Sequence, residues 1–229
     1  MTYPLQSATP VVFCWSGGKD SAMALHALRR QSGVRVTGLL TTVTEDYERI
    51  SMHGVRRSLL LRQAQAIDLP LYEVTIPPRC VNPIYEARME EALRAQIQQG
   101  VHTVAFGDIF LQDLREYRER NLARVEMNAV FPIWKRDTQD LAEEFCAQGF
   151  RAVAVCIDSK KLSRDFAGRE LNESFFRDLP DDVDPCGENG EFHTFVYDGP
   201  IFSHSIPLQR GEIVERDGHY FCDLLEATR

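Results

Sequence analysis

The chain has 229 residues, 44% of them hydrophobic, and a formal net charge of −8. That length builds one α/β domain with an appendage or two small domains, and the apolar content excludes an intrinsically disordered chain. No apolar run approaches the roughly 20 residues that span a bilayer, so no membrane segment is expected, and the acidic balance argues against a general nucleic-acid binder.

Strand, turn and helix signals alternate through the first two-thirds. Residues 11–15 are an apolar run that reads as a strand, and 22–28 read as a helix. Between them lies Ser16-Gly17-Gly18-Lys19-Asp20-Ser21. Its two glycines let the backbone turn tightly and approach a ligand. Ser21 stands at a helix N-terminus, where orphan N–H groups and the helix dipole attract an anion. The spacing is not that of a Walker A loop. An ordinary glycine turn is the plain alternative, but glycines, hydroxyls, a lysine and an acid converge here on one strand end. The hexapeptide resembles the pyrophosphate loop of the N-type ATP pyrophosphatases.

Residues 34–42 are a branched, apolar strand candidate ending in Thr41-Thr42, and 55–67 read as a helix stopped by Asp68-Leu69-Pro70. Residues 71–76 are a third strand and 83–99 a long helix with Gly100 after its end. Residues 101–106 are a fourth strand and 111–125 an arginine-rich helix; 130–134 are a short extended piece. Residues 138–148 read as a helix with Thr138 as N-cap, and 150–157 as a fifth strand. This alternation predicts a parallel sheet with helices on both faces. Then the rhythm changes. Residues 168–177 are a helix candidate, and short β-like segments follow at 192–197, 201–206, 212–216 and 220–225. Asp217-Gly218 is a hairpin signal between the last two. The expected division is a nucleotide-binding domain over 1–157 and a smaller α+β part over 158–229 that closes the site.

The six cysteines, Cys14, Cys80, Cys146, Cys156, Cys186 and Cys222, form no C-x-x-C pair, so zinc-finger and thioredoxin-like readings lack support. Met1-Thr2-Tyr3-Pro4 carries no signal-peptide pattern, and reduced thiols in the cytoplasm are expected. Arginines cluster at Arg56, Arg57 and Arg62 and again at Arg115, Arg118, Arg120 and Arg124. Such clusters suit phosphate or carboxylate contacts, or are solvated faces interleaved with Glu116 and Glu119.

Open α/β sheets bind ligands at the carboxyl ends of their strands. Four segments stand there or lead there: the Ser16–Ser21 loop, Thr41-Thr42, Gly107-Asp108, and Asp184-Pro185-Cys186-Gly187-Glu188-Asn189-Gly190-Glu191-Phe192-His193. Thr41 and Thr42 are also plain β-formers, Gly107-Asp108 also a plain turn, and the last segment also an acidic surface loop. His53 and Arg56 flank Gly54 ahead of a helix and suit a substrate or phosphate contact. Carboxylates in the late loop could hold Mg2+, which prefers oxygen ligands, or move protons.

Together Ser16–Ser21, Met52-His53-Gly54-Val55-Arg56, Gly107-Asp108-Ile109, Phe131-Pro132-Ile133-Trp134 and the GENGEFHTFV run from Gly187 to Val196 resemble the diphthine–ammonia ligase family of the PP-loop superfamily. The match extends from about residue 11 to residue 206. The resemblance implies a HUP-type domain of five parallel strands and a smaller C-terminal part. It also implies chemistry in which ATP adenylates a carboxylate, pyrophosphate leaves and ammonia displaces AMP. Asp184-Pro185-Cys186 is closest to the short bacterial branch, which implies an acceptor other than diphthine.

The roles that follow are expectations. Ser16, Gly17, Gly18, Asp20 and Ser21 bind the ATP phosphates; Thr41, Thr42, Gly107 and Asp108 bind the rest of the nucleotide. Lys19 neutralises the leaving pyrophosphate. Asp20 is the Mg2+ ligand. Glu188 and Glu191 place substrate, bind metal or take a proton from ammonia. His53, Arg56, Asn189 and His193 contact the substrate. Ammonium or another amine supplies nitrogen, and a homodimer is left open. Two rivals stand beside this reading: a tRNA-modifying PP-loop enzyme and a non-catalytic adenine-nucleotide module.

Overall fold

The computed structural model describes residues 8–45, the backbone of 49–50, and 54–227. The first sheet is built from β1 (Thr9–Cys14), β2 (Val34–Thr44), β4 (Leu71–Ile76), β5 (Thr103–Ala105) and β6 (Asn128–Val130). These five strands run parallel in the order β4-β2-β1-β5-β6. A two-residue strand, β3 (Arg49–Ile50), adds antiparallel to the end of β2.

Alternation along β1 explains why both faces are covered. Val11 and Phe13 point into one apolar cluster and Val12 into the other. The Val12 face is closed by α3 (Asn82–Gln98) and α4 (Gln112–Ala123) through Leu93 and Leu122. The opposite face packs on α1 (Lys19–Arg29), α2 (Arg57–Ile67) and α5 (Thr138–Ala147). That cluster continues without a break into a second sheet. The second sheet is antiparallel, in the order β8-β7-β10-β9, from β7 (Arg151–Asp158), β8 (Phe192–Asp198), β9 (Leu208–Arg216) and β10 (His219–Glu226).

Several local expectations are corrected. Residues 150–157 are not the fifth parallel strand: β7 pairs antiparallel with β8 and β10, and β6 takes the fifth place. The buried, continuous apolar run of β7 carries no mark of strand direction. The helix expected over 168–177 is only α6 (Glu173–Arg177), because Gly168 is left-handed at φ +79° and Glu170 bridges Val153. Asn172 caps it by accepting from the Phe175 N–H at 3.0 Å. Residues 201–206 form turns rather than a strand, with Ile201 and Ile206 buried as anchors. Asp137, not Thr138, caps α5, accepting from the N–H groups of Gln139 and Asp140. Asp217 and Gly218 take φ +51° and +78°, the left-handed pair that a tight hairpin needs.

Candidate functional site

The strand order reverses between β1 and β5, which is where an open sheet forms a crevice. A cavity of about 390 Å³ opens there. Ser16, Gly18, Asp20 and Ser21 line it from the loop after β1, Thr41 and Thr42 from β2, and Gly107 and Asp108 from the turn after β5. Gly187, Glu188, Gly190, His193 and Thr194 line it from the C-terminal part. Segments distant in sequence therefore meet in one cleft.

Residues 16–21 form a compact turn. Ser16 and Ser21 hydroxyls lie 2.8 Å apart, and the Ser16 N–H reaches the Ser21 hydroxyl at 3.3 Å. Gly18 is the N-cap of α1 and offers no side-chain cap, which leaves the helix start with backbone donors. Gly107 lies against this helix start: a Cβ there would stand 3.0 Å from the Ser21 nitrogen. Thr41 is 4% exposed, and its hydroxyl has no partner among the described residues. A buried, unpaired hydroxyl facing a cleft costs free energy unless a ligand or water meets it.

Lys19 departs from its expected place. It is 1% exposed and does not line the cleft. Its ammonium turns inward, ion-pairs with Asp20, and donates to the Cys186 carbonyl at 3.0 Å. Burial works against its charge, but the Asp20 carboxylate outweighs that and holds its pKa above the usual lysine range. Lys19 ties the two loops together, and the side chain left facing the cleft is Asp20, 30% exposed.

The two glutamates also part. The Glu188 carboxylate accepts from the N–H groups of Ile109 at 2.7 Å and Phe110 at 3.3 Å. Burial pushes its carboxyl up to about 7, against the pull of those two N–H groups. Glu191, 2% exposed, does not line the cleft. One of its oxygens accepts from the Asp184 N–H at 3.1 Å and from Asn189 Nδ2 at 3.0 Å. Asn189 is accordingly a brace of its own loop, with no place in the cleft lining. His193 lines the cleft, and burial lowers its pKa. Cys14 and Cys186 line it as thiols, each pushed by burial to about 12.

Arg56 lies outside the cleft, paired with Asp223 of β10 at 2.7 and 3.2 Å. His53 falls outside the described residues. Of the arginine clusters, only Arg118 reaches the cleft. Its Nη2 donates to Asp108 at 3.0 Å; its Nε lies 2.7 Å from the other oxygen, an ion pair too bent for a hydrogen bond. The guanidinium stands 4.4 Å over the Phe106 ring. Arg57 pairs with Glu73, Arg62 with Glu226, Arg115 with Glu119 and Arg124 with Glu86, and Arg120 lies over the Tyr117 ring. All six cysteines are free thiols.

Sequence reasoning missed three organisers. Asp184 accepts through one oxygen from the Cys186 and Glu188 N–H groups and through the other from the Thr138 hydroxyl; the Asp-Pro pair was its available signal. Thr194 accepts from the Lys19 N–H at 2.9 Å. Gln63 is wholly buried beneath the 16–21 loop, and a glutamine among Leu59, Leu60 and Ile67 on one helix face was the clue.

Sheet order and the cleft at its switch point define a doubly wound α/β protein. The sequence matches the family description "Diphthamide synthase N-terminal domain" over residues 9–129 and "Diphthamide synthase C-terminal domain" over 137–228. The chain belongs to the diphthamide synthase family. It is similar to the diphthine–ammonia ligase of Schizosaccharomyces pombe, at 26% identity over 91% of this chain and 38% of that protein. It is similar also to that of Bos taurus, at 28% over 69% of this chain and 65% of that protein, and to that of Danio rerio, at 26% over 89% and 88%. The chain thus spans under two-fifths of the fission-yeast relative and most of the zebrafish one. Among solved structures, the U34-tRNA thiolase NcsA from Methanococcus maripaludis overlaps 61% of this chain and 57% of its own, at 18% identity and a TM-score of 0.37.

Proposed function

We propose that this protein is an ATP-dependent amide ligase that activates a carboxylate as its adenylate and passes the acyl group to ammonia. The names of its relatives support ligase chemistry with ammonia. The observation that carries the reading is Glu188: a carboxyl with a pKa of about 7, in the same cleft as the phosphate loop, braced by two backbone N–H groups.

The substrate carboxylate oxygen attacks the α-phosphorus, the α–β anhydride breaks, and pyrophosphate leaves. Ammonia then attacks the acyl carbon, and AMP leaves with the bonding pair. Ser16, Gly18 and Ser21 hold the phosphates with hydroxyls and helix-start N–H groups. Thr41, Thr42, Gly107 and Asp108 border the remainder of the nucleotide. Ionised Glu188 takes the proton that ammonium, or the tetrahedral intermediate, must lose.

Mg2+ fits this cleft. Among the described residues its lining carries Asp20, Asp108 and Glu188; Lys19 pairs with Asp20 and Arg118 with Asp108, so no cation of the cleft is left over to meet the charge of a bare polyphosphate. Asp20 would hold the ion, with phosphates and water completing its shell. When bound, the ion supplies neutralisation of the leaving group. The acidic lining likewise favours ammonium as the nitrogen source.

The test is incubation of the whole chain with Mg-ATP, ammonium and candidate carboxylates, scoring nucleotide products. AMP and pyrophosphate, formed only with acceptor, are expected. Release of ADP instead, or no turnover with any acceptor drawn from metabolites that accumulate in a deletion strain, overturns the reading.

A further inference from the structure

Gln63 is 0% exposed, in the core-facing stripe of α2. An amide buried there costs free energy unless every polar atom is met. It is met by two segments, the turn after β1 and strand β8. Gln63 Nε2 donates to the Gly17 carbonyl at 2.9 Å and to the Val196 carbonyl of β8 at 2.6 Å; its Oε1 accepts from the Trp15 indole N–H at 2.9 Å. The Val196 N–H donates to that same Gly17 carbonyl at 2.9 Å. One side chain therefore joins α2, the turn after β1 and the second sheet.

We propose that Gln63 is a positioning residue that couples nucleotide binding in the phosphate loop to the seating of the glutamate loop. This rests on the reading of residues 16–21 as the ATP phosphate loop. In a trans peptide the C=O and the following N–H point in opposite directions. Fixing the Gly17 carbonyl on Gln63 and Val196 therefore turns the Gly18 N–H to the other side of that peptide, where it donates to the Ser16 hydroxyl at 3.3 Å; Ser16 and Gly18 both line the cleft. Gly17 sits at φ +80°, and a Cβ there would come 2.7 Å from Gln63 Oε1, so amide and turn are fitted to each other. The same Gln63 amide grips β8, whose first residue, Phe192, directly follows Glu191. The Thr194–Lys19 bond repeats the connection two residues earlier. A nucleotide that draws on the Gly18 N–H or on the Ser16 hydroxyl it meets tightens the Gly17 carbonyl against Gln63 and Val196, and β8, which follows the loop carrying Glu188, is held with it.

The experiment measures Mg-ATP affinity by calorimetry and backbone hydrogen exchange over 184–198 with and without ATP, in the wild-type chain and in Gln63→Met. Wild type is expected to bind ATP and to show slower exchange at 192–196 when it does. Folded Gln63→Met is expected to bind about tenfold more weakly, the scale of one to two lost hydrogen bonds, with no ATP-dependent slowing in β8. Wild-type affinity with slowing intact in folded Gln63→Met overturns the proposal, even if its melting temperature falls, since that describes a merely structural amide. If Gln63→Met does not fold, the wild-type arm decides: slowing at 192–196 on saturation with ATP supports the coupling, and unchanged exchange overturns it. A wild-type chain that binds no ATP overturns the functional reading and the coupling with it.

Discussion

Two loops build the cleft, and they do so in opposite ways. The glycine loop, residues 16–21, faces the cleft with backbone, hydroxyls and Asp20, while its longest side chain, Lys19, is turned into the protein. The glutamate loop, residues 184–192, spends most of its polar groups on itself: Asp184, Asn189 and Glu191 hold one another and the turn. It sends one charged side chain, Glu188, across to the turn after β5. The difference teaches that a motif's charged residues do not share one task. In each loop one carboxylate faces the cleft, and a charged neighbour is buried behind it.

The largest expected effect breaks this symmetry at its exposed end. Glu188→Gln keeps shape and removes the proton acceptor, so turnover is expected to fall by about 10²-fold or more, with ATP affinity within a few-fold by calorimetry. In the wild type, turnover is expected to rise as pH climbs through about 7, where Glu188 ionises, and the variant is expected to lose that inflection. Stability runs the other way. The folded pKa lies above the unfolded value of 4.5, so the protonated form favours folding, and stability is lost as pH rises from about 4.5 through 7. Melting curves of Glu188→Gln are expected to lack that loss. An unchanged rate would mean that the two loops do not divide labour as described.

Next in size is the buried end. Lys19→Met leaves Asp20 without its partner and the Cys186 carbonyl without its donor. A loss of about 2–3 kcal/mol is expected in chemical denaturation, below the range for a fully buried pair because Asp20 still reaches water. Direct contact of Lys19 with phosphate would instead appear as a collapse of ATP affinity with little change in stability. Glu191→Ala strips the acceptor from two donors and is expected to cost about 1–3 kcal/mol of stability, with a smaller fall in turnover than Glu188→Gln. Equal falls in turnover for the two would sharpen the comparison against us. The smallest effect is Arg56→Ala. Its pair with Asp223 is substantially exposed, so less than about 1 kcal/mol is expected, and ATP affinity should not move in a titration.

Much of the parallel sheet was legible because its signals are local. Residues 71–76 read as a strand and are one, since the run is branched, apolar and stopped by Pro77-Pro78. The glycine turn between β1 and α1 was likewise legible, because a left-handed Gly17 must be a glycine or pay for it in strain. Strand direction in 150–157 was not legible, since a strand buried on both faces looks the same in either kind of sheet. Nor was the inside or outside of Glu191, Asn189 and Arg56, whose partners lie in Asp184, Glu191 and Asp223. Polar residues are exposed by default in any reading of one sequence, and only a partner supplied from elsewhere makes burial affordable.

By itself the sequence determined four of the five strands of the parallel sheet, the glycine turn that closes the first of them, and which short stretches carry carboxylates. Those are properties of neighbours along the chain: periodicity, branching, and glycine where φ must be positive. Tertiary structure alone decided that Glu188 faces the cleft while Glu191 is sealed, that Lys19 points inward, and that Gln63 joins three segments under the loop. Glu188, Lys19 and Gln63 each depend on a donor or acceptor tens to well over a hundred residues away, and no local pattern encodes where such a partner will stand.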